Sequence, residues 1–332
     1  MQPKQLHSHE LTIWEGKMGR FILRRLIFFV ITLLVTSVLI FALIRAAGGN
    51  VAAILLGKNS SAEEIQKLST ELGLERPLPV QYFEWISNFF QGDLGQALRS
   101  KQQASHLIWT QVPVSVPLSL GGLLLAIIIA IPLGTYAAKN YNKPSGAFVA
   151  LLSQIGIAIP VFWAGLLLSL LFGVYLGVLP TGGWVPWTEN WVGSLRSLVL
   201  PVFTLGIVMA STLTRYTRTA ILDVMNEDFV RTARASGMSF RVALIKVGLR
   251  NASLPLVTVL GLLAAEMVGG TVIIEKVYSL PGISRMILDN VTAREVIVVQ
   301  STVMVIVIYV MTVNLIIDLA YGLLDPRIRV GK

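Results

Sequence analysis

The sequence predicts an all-α integral membrane protein with six transmembrane helices. Of its 332 residues, 54% are hydrophobic and only 14% are charged, whereas a soluble domain has about 25% charged residues. Five long windows contain no charged residue: 26–44, 107–138, 144–188, 197–214 and 297–317. An apolar run of about 18 residues or more can cross the hydrocarbon core as a helix, so each window is a candidate span. This composition excludes a soluble globular protein and a disordered chain, and the lack of cysteine excludes a disulfide scaffold.

Six spans follow from the pattern of apolar residues, at 23–45, 112–138, 146–174, 196–214, 253–274 and 297–322. The first is longer than the apolar region of a signal peptide, about 7–15 residues, so we expect it to stay in the protein. The spans divide the chain into a tail (1–22), the first helix (23–45), an external segment (46–111), a core of five helices (112–324) that includes a cytosolic loop (215–252), and a second tail (325–332).

Basic residues are concentrated on one side of the predicted membrane. The segments on the side of the N-terminus carry 17 basic and 6 acidic residues, whereas the opposite side carries 10 of each. Cytosolic loops of membrane proteins carry the excess of lysine and arginine. We therefore expect a multi-pass protein of the cytoplasmic (inner) membrane with both termini in the cytosol. No basic stripe alternates with exposed aromatic residues, so nucleic-acid binding is not expected.

The external segment is predicted to contain two short helices. Ser60 and Glu63 have the spacing of a capping box, and Gly73 would end the helix that they begin. A second helix is expected over 81–90. Three aromatic residues share one of its faces: Tyr82, Trp85 and Phe89. This face either packs on the membrane domain or docks a partner. A later loop, 179–191, contains three tryptophans, which are common anchors at the membrane interface.

The longest cytosolic loop is predicted to form two amphipathic helices. Apolar residues recur at every fourth position: Ile221, Met225, Phe229 and Ala233. Gly237 would break this helix. The second helix has apolar residues at helical spacing: Val242, Ile245 and Leu249. The residues alone leave two interpretations open, which are a helix pair that lies on anionic lipid and a platform for a cytosolic protein.

One carboxylate lies in the middle of a predicted span. Glu266 is in span five, and a charge at the centre of a span costs about 2.5–3.5 kcal/mol on insertion scales. We expect it to face the protein interior, a partner subunit or water, and Gly269 and Gly270 would allow another helix to approach closely. Glu266 is either a packing residue or part of a substrate path. An ion-coupled secondary transporter that uses it is the alternative function. Asp318, near the end of span six, is expected to pair with a helix end or a loop.

Enzymatic activity is not predicted for this chain. The three histidines, His7, His9 and His106, lie outside the spans. No catalytic residue and no metal site is assigned, because the chain has neither a zinc-protease motif nor an intramembrane Ser/His pair. The Gly-Lys-Asn at 57–59 lacks the earlier glycine and the Ser/Thr of a phosphate-binding loop. We therefore expect no cofactor on this chain.

Two segments of the chain suggest a family. Residues 228–237 together with 249–255 resemble the coupling loop of ABC importer permeases, in the variant of the dipeptide/oligopeptide/nickel permease family. Arg231-Thr232-Ala233 stands where the general importer motif has Glu-Ala-Ala, and Leu254-Pro255 follows later than in that motif. The resemblance implies that these residues couple the chain to an ATPase: Glu227, Asp228, Phe229, Arg231, Thr232, Ala233, Arg234, Ala235 and Gly237.

The resemblance covers roughly residues 20–330. Further matching segments are 21–26, 72–82, 92–95, 275–282 and 318–329. As an ordered set they resemble the first of two paired permease subunits, the one with the larger external segment. They imply an external loop that faces a binding protein through Tyr278, Leu280, Pro281 and Gly282. The chain departs from the family in having Ala-Gly-Gly-Asn at 47–50, where Pro-Gly-Asp-Pro is usual, and Ser284 in place of a glycine.

The properties of this family supply an expectation for function. Its type I architecture implies that the chain forms half of the translocation path of an ATP-driven importer for peptides or similarly sized polar solutes. Members carry dipeptides, oligopeptides, nickel chelates, glutathione-like compounds or oligosaccharides. The expected partners are a homologous second permease subunit, two ATP-binding subunits that hold ATP and Mg²⁺, an extracytoplasmic solute-binding protein and membrane lipid.

Overall fold

The structure is a computed structural model that describes residues 3–48, 51–56, 61–71, 73–225, 227–243 and 249–324. Across these ranges the secondary structure is helical, apart from one isolated bridge between Gln96 and Gln103. The helices are α1 Pro3–Gly48, α2 Val51–Leu56, α3 Ala62–Glu71, α4 Leu78–Phe90, α5 Ala104–Lys139, α6 Pro144–Ala158, α7 Val161–Leu168, α8 Trp191–Met225, α9 Asp228–Ala235, α10 Phe240–Ala243, α11 Leu249–Val277, α12 Ile283–Thr292 and α13 Val296–Leu324. The predicted all-α class is confirmed.

Five of the described helices contain stretches long and apolar enough to cross a membrane. These stretches are Gly19–Ala46, Ala104–Lys139, Trp191–Met225, Pro255–Val277 and Val296–Leu319. Each overlaps a predicted span. The helices extend beyond the apolar runs, because α5 begins eight residues before the predicted 112 and α8 continues to Met225. The predicted N-terminal tail is likewise helical from Pro3 and continuous with α1, whereas the predicted C-terminal tail (325–332) lies outside the described residues.

The span predicted at 146–174 is a bent pair of helices. Pro144–Ala158 and Val161–Tyr175 meet at 103°, and the second part ends as a π-helix, Ser169–Tyr175. The break lies at Ile159, which is extended (φ −79°, ψ 120°). Proline disfavours the helical region for the residue before it, so Pro160 explains this conformation. With the pair counted as one span, the structure has up to six spans.

Helices α5 and α8 form the centre of the molecule. Small residues bring them close together: Gly122 faces Leu205, and Gly206 faces Leu125. Gly134 meets Thr217, where a β-carbon would clash. Packing through small residues is how membrane helices gain contact area, since lipid supplies no hydrophobic drive for their association. The buried residues of these two helices continue into α11 and form one core.

Helix α1 lies at the edge and packs on α13. Its Arg25 pairs with Asp318 of α13, with 3.0 Å between Nη1 and Oδ2. Asp318 therefore joins the first span to the last near their shared end. Asp318 was expected to pair with a helix end or a loop, but its partner lies within helix α1.

In the external segment, α3 begins with a capping box and is followed by a glycine. Ser61 and Glu64 cap α3 reciprocally, with N···O distances of 2.9 and 3.2 Å. The capping box is thus one residue later than predicted, and Ser60 lies outside the described residues. The hydrogen bond from the Ser61 N–H is the main reason why the pKa of Glu64 lies below its usual value, and the Ser61 hydroxyl lowers this pKa further. Gly73, at φ +67°, follows the end of α3, as predicted.

The aromatic face of α4 packs on the membrane domain. The centroid of the Tyr82 ring lies 5.6 Å from that of Phe41 in α1, and the centroid of the Trp85 ring lies 6.1 Å from the Phe41 centroid. The Ser37 hydroxyl is 2.8 Å from the Tyr82 hydroxyl. Of the two interpretations of this face, these contacts favour packing within the chain. The tryptophan loop is also tied internally, because Trp187 Nε1 donates to the Pro113 carbonyl at 2.9 Å.

Candidate functional site: the coupling helix and the exposed face of α11

The predicted coupling residues form a short helix separate from α8. α8 ends at Met225, and Glu227 is the extended residue before α9 (φ −72°, ψ 148°). The apolar stripe predicted from Ile221 to Ala233 is therefore divided between two helices. Of the second predicted helix, Val242 lies in α10 and Leu249 begins α11, and residues 244–248, with Ile245, lie outside the described residues.

The apolar side of α9 packs inside the chain. Val230 and Ala233 are buried and contact Ala243 of α10, with Phe229 partly buried against them. The opposite side is exposed and consists of charged and small residues: Asp228, Arg231, Thr232, Arg234 and Ala235. Ala233, predicted to seat in a partner, instead contributes to the packing of α9 on α10. The surface available to another protein is the polar side.

Gly237 ends α9 with a Schellman motif. Its N–H donates to the Arg234 carbonyl (3.0 Å), and the N–H of Met238 donates to the Ala233 carbonyl (3.2 Å). This pair of bonds requires a residue with positive φ after the helix, and Gly237 has φ +90°. The glycine thus fixes the direction in which the chain leaves α9.

Helix α11 exposes one face at the depth of the membrane. Its exposed residues recur at helical spacing: Leu262, Ala265, Glu266, Gly269 and Ile273. The Glu266 carboxylate makes no hydrogen bond or ion pair with the described residues. A β-carbon on Gly269 would meet nothing within 4 Å, whereas one on Gly270 would lie 3.1 Å from Leu205 of α8. Gly270 therefore serves packing within the chain, and Gly269 belongs to the free face.

A charged group on this face restricts what can cover it. Placing an unpaired carboxylate in hydrocarbon costs about 2.5–3.5 kcal/mol on insertion scales. The face must accordingly meet water or polar groups of another chain. A separate cavity of about 210 Å³ between α5, α11, α12 and α13 is lined on α11 by Met267, Val268 and Thr271. Glu266 is not part of it.

The external loop before α12 is mostly buried, which corrects the expectation that its side chains face a binding protein. Tyr278 and Leu280 are fully buried, and Gly282 is buried as well. The Tyr278 hydroxyl is 2.8 Å from Thr204 Oγ1 and donates to the Gly165 carbonyl at 3.1 Å. Of the four predicted residues, Pro281 is exposed. This loop is therefore built to hold helices together.

A buried carboxyl group that the sequence did not single out organises this loop. Glu275 is fully buried. Its Oε1 accepts the Ser115 hydroxyl at 2.6 Å, and its Oε2 accepts the N–H of Arg285 at 2.8 Å. Ser115 in turn accepts the N–H of Ile283 at 2.8 Å. We call these four residues the Glu275 clasp. It joins α5 and α11 to the first turn of α12.

A second buried carboxyl group holds the external segment. Glu295 accepts the N–H groups of Leu98 and Arg99 at 2.6 and 2.9 Å. The Ser301 hydroxyl donates to the Leu94 carbonyl at 2.7 Å. The segment before α5 is thereby fixed to the start of α13. Neither carboxyl group had a local sequence signal, because its partners lie far away in the chain.

Comparison with known proteins places these features in a family. Residues 130–330 match the model described as "Binding-protein-dependent transport system inner membrane component". Residues 18–118 match the corresponding N-terminal model. The chain belongs to this family. It is therefore a membrane permease subunit of an ABC importer, as the resemblance of its loop motifs suggested.

Curated relatives are similar to this chain over nearly its whole length. The glutathione transport system permease protein GsiC of Salmonella typhimurium is 34% identical over 312 residues, which cover 94% of this chain and 99% of the relative. A putative peptide transport system permease protein of Brucella abortus has the same identity and coverage. The permease chain is thus a transport subunit, and the relatives give no support to the ion-coupled alternative.

Proposed function

We propose that this permease forms half of the path by which peptides, or similarly sized polar solutes, are imported. Support comes from relatives named for glutathione and for peptides, both of which are small peptidic solutes. The charge asymmetry of the loops supports cytosolic termini. A homologous second permease subunit, two ATP-binding subunits with ATP and Mg²⁺, and an extracytoplasmic solute-binding protein complete the proposed importer.

The exposed face of α11 is the observation that carries this proposal. It combines a carboxylate, Glu266, with small neighbours, Ala265 and Gly269, in a helix that crosses the membrane. Small residues leave room for a solute or a second helix, and a carboxylate can attract the ammonium group of a peptide. A water-filled path between two permease subunits satisfies both properties.

Accessibility to a hydrophilic thiol reagent tests the path. The chain has no cysteine, so Gly269→Cys introduces the sole thiol of this subunit. In the complete complex it should react with a membrane-impermeant maleimide, and saturating transported peptide should slow the reaction. The matched control is Ile128→Cys, since Ile128 is an exposed apolar residue of α5 that we assign to lipid. Equal reactivity of the two cysteines would remove the support for a path along α11.

The exposed side of α9 is the proposed contact with the ATP-binding subunits. Movement of those subunits reaches the spans only through a rigid connection, and α9 lies directly between α8 and the α10–α11 segment. Its small residue Ala235 and its arginines, Arg231 and Arg234, are exposed. They provide a surface on which a partner can fit closely and pair its acidic groups.

Copurification measures this contact. Ala235→Glu changes the exposed side without touching the buried cluster, whereas Ala233→Glu would also disrupt the packing of α9 on α10. We expect Ala235→Glu to insert normally and to lose most of the copurifying ATP-binding subunits. Asn142→Glu is the control, because it adds the same charge to an exposed turn on the same proposed side of the membrane. Full copurification of the Ala235→Glu variant would leave α9 as a lipid-facing helix.

A further inference from the structure

A large cleft among the described residues lies away from both proposed surfaces. It is a cleft of about 860 Å³ between the outer end of α1 and the external helices α3 and α4. Apolar side chains form most of its wall, including Val38 and Phe41 of α1 and Leu78 of α4. Six polar residues also line it: Arg45, Gln66, Ser69, Glu75, Gln81 and Tyr82.

Arg45 places a positive charge in this cleft. It is the residue before the end of the apolar stretch Gly19–Ala46, which places it where hydrocarbon gives way to headgroups. Its guanidinium carbon lies 5.3 Å from the centroid of the Phe41 ring. Its Nε is buried and has no hydrogen-bond partner among the described residues. An arginine in this setting suits a phosphate group, which it can bind with two parallel hydrogen bonds.

Gln81 and Glu75 offer the complementary acceptors. Gln81 is only 7% exposed, and its Nε2 donates to the carbonyls of Leu74 and Arg76 at 3.0 and 2.7 Å. Its Oε1 is buried without a partner among the described residues. Glu75 is exposed at the cleft, where its Oε1 accepts the Gln66 amide and its Oε2 accepts the Thr70 hydroxyl at 3.0 Å; each carboxylate oxygen can accept a further hydrogen bond. A buried acceptor left unpaired is costly, so a ligand with N–H donors and a positive charge would fit here.

We propose that this cleft binds one molecule of phosphatidylethanolamine from the leaflet on the side of the external segment. The phosphate would pair with Arg45, and the ammonium group would donate to Glu75 and Gln81. The acyl chains would follow the exposed apolar surface of α1, which includes Leu39 and Leu43. Phosphatidylglycerol has the phosphate but a neutral glycerol head, so it brings no positive charge to Glu75. Phosphatidylcholine has the phosphate but no N–H group to donate.

Lipid titration of the complete, delipidated complex tests the proposal. The probes are phosphatidylethanolamine, phosphatidylcholine and phosphatidylglycerol with the same palmitoyl and oleoyl chains, and native mass spectrometry measures the bound lipid. The ethanolamine lipid should bind about tenfold more tightly than the choline lipid, as expected for charge-assisted hydrogen bonds. Equal affinity for these two lipids, or tighter binding of phosphatidylglycerol, would overturn the assignment.

Two variants separate the contacts. Arg45→Gln should weaken the binding of both zwitterionic lipids about tenfold, because it removes the phosphate partner. Glu75→Gln should reduce the preference for ethanolamine over choline, since the ammonium group then keeps only uncharged acceptors. Because Glu75 is exposed, this variant should fold even if Arg45→Gln does not. Arg99→Gln is the control, since Arg99 is exposed on the same external segment outside the cleft.

The test also distinguishes lipid from protein in the cleft. If the solute-binding protein occupied it, adding that protein in excess would release the bound ethanolamine lipid. Retention of the lipid under these conditions supports the proposal, and its release contradicts it. Identical behaviour of Arg45→Gln, Glu75→Gln and the control would likewise overturn it.

Discussion

Ser115→Ala should destabilise the permease far more than a serine-to-alanine change normally does. Ser115 is 8% exposed, and its hydroxyl both donates to Glu275 and accepts from the Ile283 N–H. Alanine leaves one oxygen of a buried carboxyl group and one buried N–H without these partners. Each loss costs about 1–3 kcal/mol. Since the two losses are coupled in one clasp, we expect a total of about 2–4 kcal/mol.

The assay is unfolding of the purified complex by sodium dodecyl sulfate in mixed micelles, followed by the helical circular dichroism signal. Ser153→Ala is the matched control. Ser153 is 7% exposed, but its hydroxyl bonds only to the Ala150 carbonyl of its own helix at 2.8 Å. Its loss should therefore cost about 1 kcal/mol or less. Equal midpoints for the two variants would refute the view that the Glu275 clasp stabilises the external loop.

Three further predictions concern other parts of the chain. Gly237→Val should cost about 1–2 kcal/mol because it places a β-carbon at positive φ, and ATP hydrolysis of the complex should lose its stimulation by substrate. Single cysteines should report topology in intact cells: Thr188→Cys should react with an impermeant maleimide from outside, and Ser239→Cys should react only after permeabilisation. Outside labelling at 239 would reverse the proposed orientation. Glu295→Gln should raise protease cleavage near Leu98 several-fold, since glutamine has one acceptor oxygen and its NH2 group cannot accept the second N–H; an unchanged cleavage rate would contradict its clamping role.

The spans were predictable because insertion into lipid depends on composition over long windows. The bend at Ile159 was not, since the sequence remains apolar across it and hydropathy carries no information on direction. Pro160 was the available signal: a proline within an apolar run marks a site where the helix can break.

The candidate site was predictable in its location but not in its orientation. The break at Gly237 and the unusual Glu266 are local features, and both lie where the sequence indicated. Which side of α9 is exposed depends on α10, and the burial of Tyr278 depends on Thr204 of α8. Such contacts join residues that are distant in the chain, or they depend on how a helix is rotated about its axis. A pattern of apolar residues cannot specify them.

The energy source for uptake tests the central claim most directly. Proteoliposomes would contain this permease with its second permease subunit and ATP-binding subunits, with the solute-binding protein added on the external side. Labelled glutathione and a set of di- and tripeptides would be supplied to that side. The account predicts uptake of at least one peptide that requires ATP on the side of the ATP-binding subunits and is unaffected when proton and sodium gradients are collapsed. Uptake driven by either gradient in the absence of ATP would contradict it.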